Sequence, residues 1–278
     1  MRAAVTIAIS IQTSTATIFA ADSKLTTSGL VGFDDGGEPQ FVSQTYDNAT
    51  KIVRDRAGRA MAVVAGVADL GRISVMDYIE SSEVPRANDA DQQESAIRQF
   101  TAGMGQLRAA HWHESKVTPD RWPITIVLLA VAPSYTNRPA VWRLVFRGEQ
   151  PDVIKLDNPV YLEGSYDGAF SLLYGYRSDV MKDLVHALSI EDQKLGEALD
   201  GTKVLRPIDK LSLSVMPIQD AVDLAVFLAT IQVQMERFLP GEPVCGGPID
   251  VMVLKAAPTQ ETLWLPGKVL KHPLGRVG

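Results

Sequence analysis

The residue types able to do chemistry cluster in a few stretches of this 278-residue chain. The first runs from Thr6 to Asp22, where a threonine opens one β-branched run and an aspartate closes the next, with Lys24 just beyond. Lys51 begins a further short apolar run, Lys51-Ile-Val-Arg54. His111-Trp112-His113-Glu114 holds metal-ligand residue types, but helical positions i and i+2 face apart, so solvent-facing imidazoles and no metal are expected. Ser165 follows Gly164 at the start of a helical segment, where a hydroxyl suits an N-cap. In Val244-Cys245-Gly246-Gly247 the thiol reads as a small packed group. The paired glycines read as backbone geometry, since no helix follows to bind phosphate.

The elements that must position these residues follow from periodicity. Val5 to Ile11 and Thr17 to Ala21 are strands around the polar turn Gln12-Thr13-Ser14-Thr15. Residues 23–50, rich in Gly, Asp, Ser and Thr around Asp34-Asp35-Gly36-Gly37, read as one long loop, expanded over 25–50. Strands are expected at 51–54 and 59–65, a helix over 67–81, and a second helix from Asn88 or Asp89 to about Trp112. Strong strands at 124–132 and 141–146 precede two shorter ones ending near Leu162. Helices are expected over 167–188 and, opened by Pro217 at its first position, to about Phe238. Residues 248–254 and 261–265 pair as strands before a loosely held tail at 267–278. Strand pairs and helices in blocks, without β-α alternation, predict an α+β protein with mainly antiparallel sheets covered by helices.

Composition sets outer limits. Hydrophobic residues make up 46% and charged residues 22%, which suits a protein with a real core. The net charge of −6 argues against nucleic acid or an anionic membrane as partner. The only cysteine, Cys245, excludes an intrachain disulfide and fits a reducing, cytoplasmic setting. The apolar N-terminus is interrupted by Ser10, Gln12, Thr13, Ser14, Thr15 and Thr17, unlike a secretion signal. No stretch reaches the roughly 18 apolar residues of a membrane-spanning helix.

Ordered marks then carry a resemblance: Thr6 with Ala20-Ala21-Asp22-Ser23-Lys24, Thr50-Lys51-Ile-Val, Val64-Ala65-Gly66-Val-Ala68-Asp69, and Val244-Cys245-Gly246-Gly247-Pro-Ile-Asp250. Together they resemble the β subunits of the proteasome and its bacterial relatives, among the N-terminal nucleophile hydrolases. The resemblance implies one domain over 1–278 with a four-layer αββα sandwich of two antiparallel sheets. It implies that Thr6 is the nucleophile, Lys51 the tuning cation, Asp22 its partner, and Gly66 an oxyanion donor through its backbone N–H. Ser165, Glu242 and Cys245 stand at the supporting positions, with Glu242 replacing an aspartate, Cys245 a serine, and Tyr166 a small residue.

The chemistry behind that set is specific. A threonine hydroxyl is a weak nucleophile that needs a base, and its own α-amine serves when it is the first residue. Residues 1–5 would then be a propeptide, although Val5 is stiff where longer propeptides end in glycine. The expected function is threonine-type peptide hydrolysis in a self-compartmentalising homo-oligomer, a ring or helical assembly. It would act on peptides or unfolded protein, without metal or organic cofactor; an ATPase partner is left open. The alternatives are a catalytically silent ring or scaffold subunit, and a small-molecule amidohydrolase.

Overall fold

A computed structural model describes residues 6–33, 39–68, 70, 73–114, 122–134, 136, 138–175, 183, 207–240, 243–256, 259 and 261–265. The chain start forms β1 (Ile7–Gln12) and β2 (Ala16–Asp22), both buried along their whole length. Alternation explains why two fully buried strands still have two distinct faces. Ile7, Ile9, Ile11, Ile18 and Ala20 point to one apolar cluster, whereas Ala8, Phe19 and Ala21 point to another.

Next come β3 (Leu25–Phe33) and β4 (Pro39–Tyr46), then β5 (Ile52–Arg54) and β6 (Ala60–Gly66). Helices α1 (Val75–Ser81) and α2 (Ala90–Glu114) follow. Then β7 (Thr125–Val131), β8 (Ala140–Phe146), β9 (Asp152–Leu156) and β10 (Val160–Gly164) lead into α3 (Asp167–Tyr174). After α4 (Ile218–Glu236) come β11 (Ile249–Lys255) and β12 (Thr262–Leu265).

The strands form two five-stranded antiparallel sheets, ordered β10-β1-β2-β11-β12 and β5-β6-β7-β8-β9, and a separate β3-β4 pair. The expectation of an α+β protein with antiparallel sheets and helices therefore holds at that level. One apolar cluster lies between the first sheet and α3 and α4, with Ala169, Leu173, Ala225 and Leu228 against the isoleucines of β1. A second joins α1 and α2 to the other sheet through Ile79, Ile97, Met104, Val127 and Trp142. A third joins the sheets to each other, through Phe19, Met61, Leu128 and Met252. Fully burying each such large side chain contributes about 1.5–3 kcal/mol.

Several expectations are corrected. Residues 23–50 are not one loop, because β3 and β4 form a bulged antiparallel hairpin there. Their Thr, Ser, Val and Phe content favours strand, and Asp34-Asp35-Gly36-Gly37 lies outside the described residues. The helix expected over 67–81 begins only at Val75, because Ser74 and Asp77 form a reciprocal capping box at that point. Pro217 is the N-cap of α4, one position before the first helical residue. Helix α3 ends at Tyr174, where Gly175 adopts φ +82° as its C-cap. Most of the remaining stretch expected to be helical, and the tail at 267–278, lie outside the described residues.

Candidate active site

Thr6 stands immediately before β1, at the mouth of the first sheet, and is 2% exposed. Its carbonyl accepts a 2.8 Å hydrogen bond from the Ser165 backbone N–H. That approach needs glycine at the preceding position: Gly164, paired with Ile7, has φ +84°, and a Cβ there would lie 1.6 Å from the Thr6 carbonyl oxygen.

Asp22 ends β2 beside Thr6, and its two oxygens collect four donors. Oδ1 accepts from the Ile7 N–H (3.1 Å) and from Lys51 Nζ (2.8 Å). Oδ2 accepts from the N–H groups of Gly246 (2.9 Å) and Lys24 (3.3 Å). The Asp22 side chain is fully buried and that of Lys51 is 9% exposed. Lys51 precedes β5 of the second sheet, so this ion pair crosses from one sheet to the other.

Gly66 closes β6 opposite Thr125 with φ +87°, and a Cβ would meet the Ile124 carbonyl oxygen at 2.3 Å. Backbone geometry alone therefore demands a glycine at this position. Gly247 has a similar local requirement, with φ +71° and the Asp47 carbonyl oxygen 2.4 Å from a Cβ.

Beside Thr6, the Ser165 hydroxyl donates to Glu236 Oε1 at 2.5 Å. Ser165 does not cap α3: the N-cap position is Tyr166, whose side chain makes no capping bond. Gln232 Nε2 donates to both Ser165 Oγ (3.0 Å) and Glu236 Oε1 (3.1 Å). Cys245 is buried, and its thiol is pushed upward by burial first and then by the carboxylates of Asp22 and Glu236. Lys51 and the Ser165 side chain offset part of that rise.

Thr6, Asp22, Lys51, Ser165 and Cys245 thus gather around one end of β1. Glu242 lies outside the described residues, as does Asp69. Glu236 and Gln232 escaped the sequence reading. Their signal was present, since they continue the stripe Ala221, Ala225, Leu228 and Ala229 at helical spacing. A glutamine and a glutamate on a buried helix face call for polar partners.

Elsewhere, His113 Nε2 contacts an exposed Glu149 oxygen at 2.9 Å. Among the described residues no group of three His, Cys, Asp or Glu side chains could hold a metal ion, and no helix is long and apolar enough to cross a membrane. A cavity of about 480 Å³ opens at the opposite end of β1, lined by Gln12, Arg138, Tyr174, Ile208, Ser212 and Ser214. The six residues of β1 separate it from Thr6 by roughly 20 Å. Size does not make it part of this site.

No protein-family model and no curated protein match the chain. Among solved structures, "Anbu (ancestral beta-subunit)" from Yersinia bercovieri is similar at 12% identity and a TM-score of 0.46, over 94% of this chain and 87% of that one. Anbu from Hyphomicrobium sp. strain MC1 is similar at 13% identity and a TM-score of 0.44, over 95% and 88%. TM-scores and identities this low carry no argument about fold or activity.

The membership among proteasome β subunits and N-terminal nucleophile hydrolases that the ordered motifs implied is therefore withdrawn. The physical reason lies in the motifs themselves. Gly66, Gly164 and Gly247 each answer a local steric demand, so their presence is not specific to one family.

Proposed function

We propose that this chain hydrolyses amide bonds in peptides through an acyl-enzyme on Thr6, once the Val5–Thr6 bond has been cut. The observation that carries the reading is the Asp22 carboxylate, which holds Lys51 Nζ and the N–H next to Thr6 on the same oxygen. A lysine ammonium fixed beside a terminal amine disfavours protonation of that amine and leaves it able to act as a base.

In the first half-reaction the amine takes the Thr6 hydroxyl proton while Oγ1 bonds to the substrate carbonyl carbon. The C–N bond then breaks, and the leaving amine departs with that proton. In the second half-reaction water attacks the ester, the amine again relays the proton, and Thr6 is restored with release of the acid. The Gly66 backbone N–H is proposed as a donor to the oxyanion. Ser165 and Cys245 are proposed as supporting groups through their place beside Thr6.

Two features support the wider expectation of a four-layer homo-oligomer. The apolar clusters are stacked helix to sheet, sheet to sheet and sheet to helix. Phe227, Met235, Phe238 and Leu239 are exposed along and after α4.

The test is a chain processed so that Thr6 is the first residue, assayed on a pooled peptide library. Turnover is expected, and Thr6→Ala should abolish it while leaving the fold intact. No turnover by the Thr6-first chain would sink the reading. A silent scaffold subunit would then stand, a second reading favoured by the near-complete burial of Thr6 in the unprocessed chain.

A further inference from the structure

After Asp22, Glu236 is the carboxylate around the site whose surroundings most restrict its chemistry. It is 7% exposed, and three donors converge on its two oxygens. Oε1 receives the Ser165 hydroxyl and Gln232 Nε2, and Oε2 receives the Val244 N–H at 3.3 Å. A carboxylate accepts without donating, whereas a glutamine would turn an NH₂ toward one of these donors.

Gln232 is itself held in one orientation, because its Oε1 accepts the Gly168 N–H at 2.8 Å. Its Nε2 must then face Ser165 and Glu236. A Cβ at Gly168 would lie 3.1 Å from that Oε1 and 2.3 Å from Met235 Sδ, so the glycine admits the arrangement.

The consequence falls on Ser165. A hydroxyl has one proton and two lone pairs. The proton is committed to Glu236, and one lone pair takes Gln232. The remaining lone pair of Ser165 Oγ is shared with the Cys245 thiol, with which the side chain also hydrogen-bonds, so beside a neutral thiol this serine accepts and does not donate. Neither Glu236 nor Gln232 belongs to the set that the ordered motifs suggested.

We propose that Glu236 is a positioning residue, which fixes the direction of the Ser165 hydroxyl and thereby presents Ser165 to the site as a hydrogen-bond acceptor. Its value for catalysis rests on the Thr6 reading above, because an acceptor beside Thr6 would favour the ammonium formed when the amine takes a proton. Its effect on Ser165 does not depend on that reading.

Cys245, the only cysteine in the chain, supplies a readout that needs no catalysis. The groups acting on its thiol are Asp22 from β2, Glu236 from α4, Lys51 before β5, and Ser165 before α3. With Glu236→Gln, a negative charge disappears, and the Ser165 proton no longer has to leave a carboxylate in order to favour the thiolate.

The experiment measures alkylation of Cys245 by iodoacetamide across pH under native conditions, followed by intact mass, in the wild-type chain, Glu236→Gln, Ser165→Ala and Glu236→Gln/Ser165→Ala. For Glu236→Gln the pH midpoint should fall, with several-fold faster alkylation at neutral pH. In the double variant, part of that fall should be lost, because no hydroxyl remains to donate. A faster rate at every pH with an unmoved midpoint would mean mere loosening of the fold, and would overturn the proposal. So would an identical fall with and without Ser165, which would reduce Glu236 to a charge.

In the Thr6-first chain, Glu236→Gln should lower kcat and leave KM nearly unchanged. If that chain has no activity at all, the catalytic reading fails while the thiol result still decides the hydroxyl direction.

Discussion

Two buried ion pairs bridge the same two sheets, and they are built differently. Lys51–Asp22 joins the start of β5 to the end of β2, and Arg143–Glu163 joins β8 to β10. Arg143 presents a planar guanidinium that stays charged, a fork suited to stapling. Lys51 presents a compact ammonium, the kind of group through which a neighbouring amine is tuned. Glu163 has the Tyr161 hydroxyl as a further partner, whereas Asp22 is surrounded by backbone N–H groups from three segments. One pair can lose its cation and keep a side-chain neighbour. The other is the centre around which the chain start and a late loop are arranged.

The largest effect should come from Asp22→Asn, which leaves Lys51 without its anion and turns an amide toward backbone donors. Removing one member of a buried pair costs about 3–5 kcal/mol, read by urea unfolding. Glu163→Gln should cost less, about 1–3 kcal/mol, because Arg143 retains an acceptor and some exposure to water. Equal losses for the two variants would erase the distinction.

Exchanging the cations sharpens it. Arg143→Lys should cost about 1 kcal/mol, as the Nε–H bond to Glu163 is lost and the ammonium must reach the same carboxylate from another position. Lys51→Arg should preserve more stability than activity in the Thr6-first chain, since charge is kept and shape is not. If hydrolysis survives Lys51→Arg unchanged, Lys51 is a staple as well.

The smallest effect should appear at alkaline pH. Burial, and then the Glu163 carboxylate, push Tyr161 from 10.0 up to about 12, and the Cys245 thiol is also raised by burial. The folded chain therefore holds protons that the unfolded chain has released. The stability these groups contribute is complete below their unfolded values and is lost as pH rises through the folded ones. Tyr161 remains partly exposed, and solvent screens its share. Melting temperature should decline between pH 10 and 12 in the wild-type chain, and Cys245→Ala should make that decline shallower. An unchanged slope would remove the thiol from the account.

The legible parts of this molecule were those with a strong period. The β1–β2 hairpin and α4 stood out because their apolar residues repeat at 2 and at 3.6, and such faces must be buried. The β3–β4 hairpin was missed because its polar Thr, Ser and Gln positions give no apolar alternation. Asp22 and Lys51 could be named as a pair only through an ordered motif set whose family meaning did not survive comparison. The contact itself is seen in the fold. Glu236 was hidden for the opposite reason: it looks like an ordinary polar helix end until register turns it inward. Gly164 could not be explained from sequence at all, since its reason is a carbonyl 158 residues earlier in the chain.

The satisfaction of Asp22 also orders events in time. Its donors lie 15, 2, 29 and 224 residues away along the chain. Closing the longest of these loops carries the largest entropic cost and comes after the local hairpin can form. During synthesis the hairpin can therefore exist with this carboxylate still in water, and only the arrival of Gly246 seals it. A segment near the end of the described chain acts as a completion check on a site that begins at residue 6.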